Sequence, residues 1–317
     1  MKSPENTLFS DFLTVTQETV ESRRLPYGRM LAAGALAGMI AIDQGVARQV
    51  RLRHDTEAHF LSEEADGERA LFVLPGCRMD GSIVADMMRP QLKELGDTTF
   101  VDYPRRGFDY DEIRHGLLNA RTRNPEKRAT ILALSMGGQV VSKLFSDVQF
   151  RRSFGEVETI LFDSSPADIR DVRASARAAL RYADMLHGSW TFDKVGGRFM
   201  QYQSRRCVEH ELCISDEQLA HNMRTTAYAP LHMAHSQGLF IKKTRSAPGS
   251  LKNVAENVYY VHSSYDSVIN TDTATAKFAE AFDGALQDVT DEQRPRGSHA
   301  VGPAFQQKII ELARGEI

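Results

Sequence analysis

The sequence predicts an α/β fold: a mostly parallel central sheet flanked by helices, with an inserted helical lid. From about residue 56 onward, short apolar runs alternate with helix-length segments, the rhythm of a sheet whose strands are linked by crossover helices. The runs are apolar along their length rather than at every second position, which suits strands buried on both faces of a parallel sheet. The rhythm then stops between Pro166 and Ser250 and resumes afterwards, so one long segment stands outside the sheet.

Taken in order, the first strand is ALFVL at 70–74, followed by a helix over 83–95. TTFVD at 98–102 is the second, with its helix over 111–121. ATILAL at 129–134 leads through Gly138 into the helical stretch QVVSKLFSDV. VETILF at 157–162 and VYYV at 258–261 are the next two strands, and a last one falls near 285–289. Between them, the 85 residues 166–250 hold half of the ten histidines and carry 12 Lys/Arg against 8 Asp/Glu. Residues 169–186 read as a helix, with Ile169, Val172, Ala176 and Ala183 on one face. Its other side carries Arg170, Arg173, Arg177 and Arg181 at helical spacing. The expected organisation is an N-terminal helical extension (1–55), a core (56–165 and 251–317) and a cap or lid (166–250).

Composition narrows the function. The chain has 317 residues, 42% hydrophobic and 26% charged, with a formal net charge of -3. That is globular and excludes collagen-like and wholly disordered chains. It provides no whole-molecule field for nucleic acid, so no nucleic-acid partner is expected. Cys77, Cys207 and Cys213 are too few for a disulfide scaffold. Residues 30–42 (MLAAGALAGMIAI) are the one conspicuous apolar run, shorter than the roughly 20 residues of a bilayer span. Arg23, Arg24 and Arg29 precede it as in an export signal, while Glu5, Asp11, Glu18 and Glu21 offset them. A packed helix in a cytoplasmic protein is the favoured reading. Export, or membrane association through residues 30–42, is the alternative.

The chemistry concentrates in ILALSMGGQ at 131–139. An apolar strand runs into Ser135, then two glycines, then a helix. A serine on so tight a turn is exposed at the carboxyl edge of the sheet, with the following helix's N–H groups aimed back at it. This segment, Ala133-Leu134-Ser135-Met136-Gly137, resembles the nucleophile elbow of the α/β-hydrolase family, with alanine at the first small position. The resemblance covers roughly residues 56–314. It implies Ser135 as nucleophile, Asp266 in VYYVHSSYDSVI as the orienting acid, and His299 in GSHAVG as the base. The chain order Ser135, Asp266, His299 is that of the family. Asp163, ending VETILFD, is a rival for the acid. By resemblance the backbone N–H groups of Cys77, in the loop Leu74-Pro75-Gly76-Cys77-Arg78, and of Met136 form the oxyanion hole.

Arg78, His232 and His235 are candidate substrate contacts, with packing as the alternative for the two histidines. Asp102 is expected to organise the Tyr103–Phe108 loop. Cys207, His210 and Cys213 lack a fourth ligand at a recognised spacing, so no metal is expected. No cofactor is implied. The function expected is cleavage of a small-molecule ester or acyl substrate through an acyl-enzyme. Thioesterase, amidase or acyltransferase chemistry, or a hydrolase-like binding protein without turnover, are alternatives. Substrate identity and oligomeric state are not written in these motifs.

Overall fold

The computed structural model describes residues 57–77, 79, 81–104, 108–186, 230–245, 249–294 and 301–317. The expected N-terminal extension, with residues 30–42, lies outside them. Among the described residues no helix is long and apolar enough to cross a membrane.

Among the described residues seven strands form one sheet: β1 (His59–Glu63), β2 (Arg69–Leu74), β3 (Gly96–Asp102), β4 (Arg128–Leu134), β5 (Val157–Asp163), β6 (Ala255–His262) and β7 (Leu286–Thr290). Their spatial order is β1-β3-β2-β4-β5-β6-β7. All neighbours pair in parallel except β1, which runs antiparallel along β3 with His59 opposite Asp102. The helices are α1 (Gly81–Leu92), α2 (Tyr110–Arg121), α3 (Met136–Ser146), α4 (Val148–Phe154), α5 (Ala174–Leu186), α6 (Pro230–Lys243), α7 (Thr271–Ala281) and α8 (Pro303–Arg314).

Successive strand residues point to opposite faces, and here both faces are covered. Phe72, Leu74, Ile131, Ala133, Ile160, Phe162 and Tyr260 share one apolar cluster with Ile113 and Leu117 of α2, Val140 and Leu144 of α3 and Phe278 of α7. Leu71, Val73, Leu132, Leu134, Leu161 and Val261 face the other way, onto Val84 and Met88 of α1 and Phe305 and Ile309 of α8. Each such buried side chain contributes about 1.5–3 kcal/mol relative to exposure. The two-sided cover is why the strand runs read as continuously apolar.

Two elements differ from the sequence expectation. Residues 169–173 are not helical; α5 begins only at Ala174. Asp171 folds its carboxylate back to accept the N–H groups of Ala167 (3.0 Å) and Asp168 (3.0 Å), and Val172 forms an isolated bridge with Ile269. The arginine stripe is therefore no stripe: Arg170 pairs with Asp168 at 2.7 Å, and Arg173 donates to the Ile269 carbonyl at 3.1 Å. The edge strand β1 was also not expected. Of the 166–250 segment, α5 and α6 are described, and they pack together closely enough that a Cβ on Gly238 would lie 3.1 Å from Leu180 Cδ2. α6 reaches the core through Phe240, whose ring stacks 4.3 Å from Phe108.

Candidate active site

Ser135 follows directly after β4 and occupies the N-cap position of α3 with φ 48° and ψ −116°. Positive φ in a non-glycine residue costs roughly 1–3 kcal/mol and persists only where the surroundings over-determine it. Here they do. The Ser135 N–H donates to the Asp163 carbonyl at 2.8 Å, and the Ser135 carbonyl accepts the Gly138 N–H at 3.0 Å. Gly137 lies against the preceding loop so tightly that a Cβ would sit 2.1 Å from the Leu74 oxygen. A Cβ on Gly76 would sit 3.0 Å from that of Ser135. Ala133 causes no such conflict, since it lies within the strand and is fully buried in the core.

The Ser135 side chain makes no capping hydrogen bond to α3. Met136 is the first residue of α3, where backbone N–H groups have no intrahelical acceptor and carry the positive end of the helix dipole. Across from it the loop after β2 brings in Gly76 and Cys77. Cys77 is half-buried and in no disulfide, and the loop closes with the Met79 N–H donating to the Gly76 carbonyl at 3.2 Å. Asp102 Oδ1 accepts the Gly81 N–H at 3.0 Å, so this aspartate secures the start of α1. Arg78 lies outside the described residues.

Asp266 sits in the loop after β6 and is buried. Its Oδ1 accepts the N–H groups of Val268 at 2.7 Å and Ile269 at 2.8 Å, and its own N–H donates to the Ser263 carbonyl at 3.1 Å. Hydrogen bonds of this kind favour the ionised carboxylate. His299 lies outside the described residues, as do Cys207, His210 and Cys213. His232 and His235 are both on α6, and the His235 side chain is half-buried. Among the described residues no group of His, Cys, Asp and Glu could hold a metal ion.

Asp163 is the last residue of β5, in register with Leu134. Its side chain and that of Arg294 are both fully buried and paired at 2.7 Å. Burial works against the Arg294 charge, but Asp163 and Asp291 outweigh it and hold the guanidinium more firmly protonated than usual. Arg294 and Asp291 escaped the sequence reading because nothing local marks them; their partners become neighbours only when β5 meets the C-terminal region. Two further buried polar groups, the Tyr103 hydroxyl and the Gln139 amide, have no hydrogen-bond partner among the described residues. Burial pushes the Tyr103 phenol well above its ordinary value.

No protein-family model matches the chain, and no curated protein matches it either. Solved structures do. The enol-lactonase from Burkholderia xenovorans LB400 superposes with a TM-score of 0.58 at 12% identity, over 81% of this chain and 96% of that one. An esterase from Exiguobacterium antarcticum gives 0.57 at 13% identity, over 82% and 98%. A thermophilic esterase from Thermogutta terrifontis gives 0.54 at 14% identity, over 83% and 95%. The chain has the α/β-hydrolase fold.

Proposed function

We propose that the protein is a serine hydrolase that cleaves a carboxylic ester through an acyl-enzyme on Ser135. The observation that carries this reading is the strained elbow: a serine at φ 48°, held by backbone hydrogen bonds with Asp163 and Gly138 at the amino end of α3. Esterase and lactonase structures among the similar folds support ester chemistry, a lactone being a cyclic ester.

In this mechanism Ser135 Oγ attacks the ester carbonyl carbon while His299 takes its proton. The carbonyl oxygen becomes an oxyanion facing the backbone N–H groups of Cys77 and Met136; each donor of this kind contributes about 3 kcal/mol to the transition state. The intermediate collapses, the alcohol leaves with the proton from His299, and an acyl-Ser135 remains. Water, deprotonated by His299, then attacks the acyl carbon; the bond from that carbon to Ser135 Oγ breaks, His299 returns the proton to Oγ, and the carboxylic acid departs. Asp266 orients His299 and stabilises its protonated form. Residues 166–250 act as the cap over the site, with Arg78, His232 and His235 contacting substrate at its mouth.

The test is covalent labelling of folded protein with a fluorophosphonate, followed by assay on p-nitrophenyl esters of graded chain length. Labelling that Ser135→Ala abolishes, with hydrolysis of at least one ester, is expected. Replacing Asp266 by Asn should lower kcat by about 10⁴-fold. Unlabelled wild-type protein, under conditions that label a known esterase, would overturn the reading.

A further inference from the structure

The residues on either side of His299 in the chain, Arg294 and Val301, converge on one carboxylate. Arg294 Nη2 donates to Asp163 Oδ1 at 2.7 Å, and the Val301 N–H donates to Asp163 Oδ2. Arg294 also donates through Nη1 to Ser164 Oγ at 2.7 Å and through Nε to Asp291 Oδ2 at 3.2 Å. Asp291 Oδ2 in turn accepts the Ala304 N–H at 3.1 Å, near the start of α8. The packing leaves no slack: a Cβ on Gly302 would lie 2.2 Å from Asp291 Oδ2 and 2.3 Å from Arg294 Nε. Val301 itself is held at φ 54°, a conformation costly for a β-branched residue.

Asp163 reaches the nucleophile as well, because its backbone carbonyl accepts the Ser135 N–H at 2.8 Å. One residue therefore grips the elbow with its main chain and both flanks of the His299 segment with its side chain. We propose that Asp163 is a positioning residue: with Arg294 it anchors the segment that carries the base to the strand end beside Ser135. This inference rests on the triad reading above, in which Asp266 is the acid.

The chemistry requires a carboxylate. Both Arg294 and the Val301 N–H are donors, so an asparagine at 163 would turn its amide NH₂ toward one of them. One of the two anchors on the segment that carries the base is then lost, and small displacements of a catalytic group are costly.

The test is Asp163→Asn alongside Arg294→Lys, assayed on an ester that the wild-type protein hydrolyses, with folding monitored by near-UV circular dichroism. Asp163→Asn should lower kcat by about 10- to 100-fold while KM stays within about twofold. The pKa governing the acidic limb of kcat/KM should stay within about half a unit, because the anchor acts through Arg294 and the Val301 N–H. If Asp163→Asn does not fold, Arg294→Lys decides, since lysine keeps the buried charge paired but cannot span Asp163, Ser164 and Asp291 together. It should lower kcat by about fivefold or more, again with little change in KM. Folded variants with wild-type kcat would overturn the inference. So would an acidic limb lowered by about one unit or more in Asp163→Asn, the signature of a carboxylate paired directly with the base. Failure of the triad reading is seen separately, as wild-type protein that neither labels nor turns over.

Discussion

Gly137 shows how one residue can serve both folding and chemistry. It lets α3 start hard against the loop after β2, where Gly76 lies close to Ser135. An added Cβ would meet the Leu74 oxygen at 2.1 Å and the Leu74 carbonyl carbon at 2.8 Å. Both are backbone atoms of a fully buried strand end, so neither can yield as a flexible side chain would. Gly137→Ala should therefore cost about 1–3 kcal/mol in urea denaturation and slow fluorophosphonate labelling of whatever protein stays folded. Unchanged stability and labelling would mean that the elbow tolerates a wider turn than its geometry indicates.

α2 depends on a local device. Asp109 precedes its first turn in an extended conformation, and its carboxylate accepts the N–H groups of Asp111 at 2.9 Å and Glu112 at 3.2 Å. These are two of the donors that a helix start otherwise leaves unsatisfied. Asp109→Ala should destabilise the protein by about 1 kcal/mol, whereas Asp109→Asn should stay close to wild type because asparagine caps nearly as well. Chemical denaturation of the pair separates loss of the cap from loss of the charge. Signals as local as this cap made much of the fold legible in the sequence. β2, β4 and β5 announced themselves because both of their faces are buried, and Ser135 because strand, serine, glycines and helix are contiguous. β1 did not, since HFLSE lies at an edge where three of its five residues are half-buried and two are exposed. The start of α5 was misplaced because Asp171 and Val172 are claimed by Ile269 and its neighbours, far along the chain. Arg294 was invisible for the same reason: its partner Asp163 is 131 residues away.

The two halves of the chain are laced together where the inserted segment departs. Arg173 N–H donates to the Val268 carbonyl at 2.7 Å, and the Asn270 N–H donates to the Asp171 carbonyl at 2.7 Å. Lys277 Nζ lies 3.0 Å from Asp168 and also pairs with Asp171. Val268 and Ile269, gripped from this side, are the residues whose N–H groups fix Asp266 from the other. The entry to the 166–250 segment and the Asp266 loop are thus one structural unit, and its electrostatics bear on acid stability. Burial disfavours the Asp168 charge, but hydrogen bonds from Arg170 and Lys277 outweigh it and hold the carboxyl well below its ordinary range. Glu311, paired with Lys308, is shifted the same way. A carboxyl depressed in the folded state binds protons less tightly there than in the unfolded chain. Its stabilisation is complete above the unfolded value, near about 4, and is lost as pH falls through the folded one. The denaturation midpoint should therefore be nearly level from about pH 8 to 5 and fall below about pH 4. Asp168→Asn removes the charge at every pH, so it should be less stable than wild type by about 1.5–3 kcal/mol near neutrality and show a shallower acid decline. If that variant instead declines in parallel with wild type, the acid limit resides in other carboxylates and not in this lacing.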